Sequence, residues 1–79
     1  MKARITVTLK NGVLDPQGRA IANALHSLGF GGVEDVRQGK LIEVELKATD
    51  ETSAKTELDA MCRQLLANPV IENYRVELL

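Results

Sequence analysis

A chain of 79 residues with ten Lys and Arg, eleven Asp and Glu, one His and one Cys is expected to form a single domain spanning residues 1–79. It can hold no internal disulfide, and it has too few soft ligands for a structural zinc site. A net charge of −1 with the two signs interspersed excludes the basic footprint of a nucleic-acid binder, and no apolar run approaches the roughly 18 residues that span a membrane. The opening "MKARITVTLK" alternates apolar and polar residues and lacks the continuous apolar block of an export signal, so the expected location is cytoplasmic. A domain this small buries only about 60% of the surface its unfolded chain exposes, and association is a common remedy.

Residues 2–10 read as a strand, with Ala3, Ile5, Val7 and Leu9 on one face and Arg4, Thr6, Thr8 and Lys10 on the other. Asn11-Gly12 breaks the alternation. A helix follows, with Asp15 as its cap and Pro16 at the first position, where a missing N–H is harmless. Ile21, Ala24, Leu25 and Leu28 make an apolar stripe at helical spacing, Gly29 suits the left-handed residue that ends a helix, and Phe30 can fold back on Leu25. Residues 33–37 and 40–48 read as two strands joined by a tight turn at Gln38-Gly39. In the second, Ile42, Val44, Leu46 and Ala48 alternate with Glu43, Glu45 and Lys47. Val33 and Val36 have opposite parity, which suggests a bulge or a late start in the first. A second helix is expected from about Glu51 to Ala67, capped by Asp50. Its apolar face is Ala54, Leu58, Met61, Cys62, Leu65 and Leu66, and Asn68-Pro69 ends it. A last strand covers 70–78, with Tyr74, Val76 and Leu78 on one face.

The order β-α-β-β-α-β fits an α+β, ferredoxin-like split two-layer sandwich: an antiparallel sheet with both helices on one face. The other sheet face would present Thr6, Thr8, Glu43, Glu45 and Arg75, polar but mixed in sign and able to meet a second copy.

No constellation of catalytic side chains is evident. The helix start at Asp15–Arg19 offers free amides, but Asp15 occupies the cap and would repel a phosphate, and no Walker lysine follows Gly18. Gly29, Gly31 and Gly32 follow a helix, the wrong end of its dipole for an anion. His26 has no visible partner, and Cys62 lies on an apolar face where thiols are inert packing groups. Glu43 with Glu45, and Asp35 with Arg37, share strand faces and read as solvated or interface charges. Base-stacking RNA modules use this topology, but the only aromatic residues here are Phe30 and Tyr74. A small-metabolite-binding regulatory domain is the alternative that the architecture leaves open.

Three stretches carry a specific resemblance: "VTLKNGVLDPQGRAIANALHSLGF", "VEDVRQGKLIEVEL" and "LLANPVIENYRVEL". From about Ile5 to Leu78 the chain resembles the PurS family, the small subunits of phosphoribosylformylglycinamidine synthase, also called formylglycinamide ribonucleotide amidotransferase. The resemblance implies a non-catalytic subunit of an ATP-dependent glutamine amidotransferase complex of purine biosynthesis. Such a subunit pairs with itself as a homodimer or tetramer. It bridges a glutaminase subunit (PurQ) and a synthetase subunit (PurL), and helps ammonia pass between them. It implies no cofactor bound by this chain, with ATP, Mg and glutamine used by the complex. Asp15, Gln17, Arg19 and His26 are the expected partner-contact residues.

Overall fold

A computed structural model describes residues 1–79. Its elements are β1 (Lys2–Leu9), α1 (Pro16–Ser27), β2 (Gly39–Glu45), α2 (Glu51–Met61), a π-helical turn (Cys62–Leu66) and β3 (Glu72–Leu78). β1 is the centre of a three-stranded sheet of order β2-β1-β3, antiparallel throughout. Its alternation sets the core. Ala3, Ile5 and Val7 are buried, and the register aligns apolar rows across all three strands: Ile42–Ile5–Val76 and Val44–Ala3–Leu78. The opposite face places Arg4 between Glu43 and Glu77, so unlike charges sit side by side where the sheet is open.

α2 closes the apolar face. Asp50 caps it by accepting from the Ser53 amide at 2.8 Å and the Ser53 hydroxyl at 2.9 Å. Ala54, Leu58 and Cys62 follow at four-residue spacing, and all are buried. Leu58 and Cys62 join Ala3, Ile5, Val7 and Ala67 in the core cluster. Beyond Met61 the helix widens. The Ala67 amide reaches the Cys62 carbonyl at 2.9 Å, a five-residue step that takes in one residue more than an α-turn. That extra residue shifts the inward position from Leu65 to Leu66. Leu65, expected on the core face, is 83% exposed, whereas Leu66 packs against the core. The chain then turns on Asn68, whose side chain accepts from the Val70 amide at 3.0 Å and whose carbonyl accepts from Ile71 and Glu72.

The α+β class and the antiparallel sheet with two helices are as expected. Two particulars differ. Residues 33–37 form no strand, so the sheet has three strands where four were expected, and no Gln38-Gly39 hairpin exists. The reason is visible in the pattern: "VEDVR" lacks the period-two alternation that would give it a buried face. Its backbone instead lies along α1, where the Val33 carbonyl meets His26 and the Val36 carbonyl meets Gly18. The second difference concerns α1, which contributes no residue to the core cluster. Only Gly18 of this helix is buried. α1 and the return segment stand off from the sheet as an arm, and the molecule measures 49 × 25 × 14 Å.

Candidate functional site

The arm is locally well made. The Asp15 carboxylate accepts from the Gly18 amide at 2.9 Å, and Pro16 opens the helix. At the far end the Phe30 amide donates to the Leu25 carbonyl at 3.0 Å and the Gly29 amide to the His26 carbonyl at 3.1 Å. With Gly29 at φ +99°, this is the paired-bond stop that glycine favours. Phe30 closes it with its amide, while its ring is left mostly exposed.

The expected contact residues fall around the root of the arm. Asp15, Arg19 and His26 line one open groove of about 530 Å³ together with Asn23, Asp35 and Arg37. Gln17 lies across the helix start in a second cleft of about 350 Å³, which Asp15 shares with Gln38, Lys40 and Glu72. Asp15 is therefore common to both, but its oxygens are already engaged: one by Gly18, the other by the Gln38 amide at 2.8 Å. Those two backbone donors, Gln38 first, hold its carboxyl below the ordinary 3.8. His26 is engaged too, with Nε2 donating to the Val33 carbonyl at 2.7 Å. Arg37 donates to the Leu9 and Lys10 carbonyls at 2.8 and 3.1 Å, so of the arginines in the groove Arg19 is the one with no such bond.

Away from the arm, Tyr74 donates its hydroxyl to the Asp59 carboxylate, and that bond pushes the phenol above its ordinary 10.0. Burial, with Asp59 adding to it, raises the Cys62 thiol, the opposite of what a nucleophilic cysteine needs. No three His, Cys, Asp or Glu side chains gather to hold a metal ion. No helix is long and apolar enough to cross a membrane.

What remains prominent is uncovered apolar surface. Leu14, Ile21, Leu28 and Phe30 on the arm, and Leu65 and Val70 beyond α2, all stand exposed. The molecule exposes 5724 Å², against about 4,700 Å² for a compact domain of this mass. Its Cα radius of gyration is 16.0 Å, where a compact 79-residue domain has about 12 Å. Sequence reading located the stripe on α1 but assigned it to the chain's own sheet. It missed Arg37 and Gln38 as parts of the arm's root, because their partners are 23 to 28 residues away and no local pattern marks them.

Fold and surface together define a small α+β chain that offers faces and open grooves rather than an enclosed chamber. It belongs to the PurS family: the family's sequence model, described as phosphoribosylformylglycinamidine (FGAM) synthase, matches residues 2–79. The PurS subunit of phosphoribosylformylglycinamidine synthase from Synechocystis sp. is 56% identical over 75 residues, covering 95% of this chain and 75% of that one. The crystal structure of Methanocaldococcus jannaschii PurS, one of the subunits of formylglycinamide ribonucleotide amidotransferase in the purine biosynthetic pathway, superposes with a TM-score of 0.86 at 43% identity, covering 96% and 92% of the two chains. A structure of PurLQS from Thermotoga maritima contains a chain that matches with a TM-score of 0.89 at 35% identity, covering 99% and 95%.

Proposed function

We propose that this chain is the non-catalytic bridging subunit of its phosphoribosylformylglycinamidine synthase. It pairs with a second copy of itself and holds a glutaminase subunit and an ATP-dependent synthetase subunit in one register. The observation that carries this reading is the uncovered arm. The surface in excess of a compact domain is about 1,000 Å², the scale of what one partner buries in a stable complex. A relative found in PurLQS supports the company assigned to it. Gln17, Arg19 and His26 face the two open clefts and are the side chains assigned to partner contact, while Asp15 shapes the loop they sit on.

The chemistry explains why such a part is needed. Ammonia freed from glutamine is protonated in neutral water and stops being a nucleophile, so the two active sites must be coupled without release. That requires a fixed geometry between them, which a rigid small subunit supplies. ATP, Mg and glutamine are bound by the other subunits, none by this chain.

The test is reconstitution with the glutaminase and synthetase subunits. Glutamine-dependent amidine formation is expected to fall sharply without this chain, while synthesis from high external ammonium persists. If glutamine-dependent turnover is the same with and without it, the bridging reading is wrong.

A further inference from the structure

The arm and the sheet meet at one corner, and the bonds there are of an unusual kind. Beside the backbone bonds of the turn, four run from side chain to backbone, and they tie together the three segments of chain that cross the corner. Asp15, leaving the turn after β1, accepts from Gly18 on α1 and from Gln38 at the mouth of β2. Arg37 reaches back to the carbonyls of Leu9 and Lys10 at the end of β1. Two glycines allow the crossing. A Cβ on Gly18 would lie 2.2 Å from the Val36 carbonyl oxygen and 2.6 Å from Asp15 Oδ2. A Cβ on Gly39 would lie 2.5 Å from the Val7 carbonyl oxygen. Neither glycine has a left-handed backbone; what each supplies is the absence of a side chain.

We propose that Asp15, Gly18, Arg37 and Gly39 form a fixed joint that sets the angle of the α1 arm to the sheet. No apolar contact of α1 with the core does this work, because α1 shares no residue with the core cluster. The joint is a positioning device: it fixes where the exposed stripe of Ile21 and Leu28 is presented. The charged groups that share a cleft with Asp15 are Arg19, Glu34, Asp35 and Arg37, with the His26 imidazole, on one side of the corner, and Lys40 and Glu72 on the other.

Asp15→Asn isolates the joint from the helix. Asparagine caps as well as aspartate, so it can keep the Gly18 bond with its carbonyl oxygen, but it then turns an NH2 group toward the Gln38 N–H. Spin labels at Ser27→Cys and Thr56→Cys report the angle. Both positions are exposed and Cys62 is buried. The labelled chain is diluted into unlabelled chain so that each assembly holds one labelled copy. The wild-type joint is expected to give one narrow distance distribution. Asp15→Asn is expected to broaden or shift it and to speed Gln38 amide exchange about tenfold or more, with far-UV circular dichroism unchanged. Gly18→Ala is expected to move the arm further.

A broad wild-type distribution overturns the proposal. So does a distribution that Asp15→Asn leaves narrow and in place, for then the arm is held by its neighbours. The measurement uses the chain without the other subunits, so its outcome is separate from that of the reconstitution.

Discussion

Both oxygens of Asp15 receive backbone N–H groups, and this gives acid stability a definite sign. The carboxyl is depressed below 3.8 by Gln38, Gly18, Arg37 and Gln17. Its contribution is therefore complete above pH 3.8 and is lost as pH falls through the lower folded value. The Gln38 amide resonance is expected to titrate below pH 3.8 in the wild type and to stay flat in Asp15→Asn, as two-dimensional NMR would record. Tyr74 runs the other way. Its phenol is raised by the bond to Asp59, so its contribution is complete below pH 10 and is lost above it as the hydroxyl ionises. Tyr74→Phe is expected to lower the denaturant midpoint slightly at neutral pH and to remove the loss of stability above pH 10. The sequence made one half of each residue's role legible. Asp15 before Pro16 is a cap by local grammar, and Tyr74 falls on the core face by parity. The second partner in each case, Gln38 or Asp59, is 23 or 15 residues distant, and spacing alone does not reach it.

At the level of elements, the segment that best tests the packing is the π-helical turn. An unbroken α-helix would place Leu65 inward, three residues after Cys62; the wider turn places Leu66 there instead. Leu66→Ala is therefore expected to lower stability by about 2 kcal/mol or more and Leu65→Ala by well under 1 kcal/mol, a contrast readable from paired thermal melts. Periodicity listed both leucines on one face because it assumes 3.6 residues per turn throughout. The same kind of assumption produced the fourth strand. Residues 33–37 carry two valines that suggest one, but they follow α1, bond to it through the Val33 carbonyl and pass close to Gly18 at Val36. Strands with a clean alternation, β1 above all, were legible because one buried face fixes their register. A segment held by polar contacts to a helix carries no such signature.

For the molecule as a whole, shape and surface point to association. Its 49 Å length and 16.0 Å radius of gyration belong to a part rather than to a compact unit. Leu28, 73% exposed on the arm, is a direct probe. On the proposed pairing of two copies, Leu28→Asp is expected to weaken self-association about tenfold or more, since covering a leucine contributes about 1.5–3 kcal/mol, and sedimentation equilibrium would measure the change. The sheet is undefended in another sense, since β2 and β3 each leave an outer edge unpaired, though Lys40, Glu43 and Glu45 on β2 discourage promiscuous pairing. The bare leucines of the arm have a further cost for the cell that makes them. To a chaperone or protease, a solitary copy looks the same as a chain that failed to fold, because both display the aliphatic side chains by which damage is sensed. If the proposed assembly covers the arm, supply is expected to keep pace with demand, and any surplus over available sites to be short-lived. Pulse-chase turnover with and without co-expression of the other subunits would reveal that dependence.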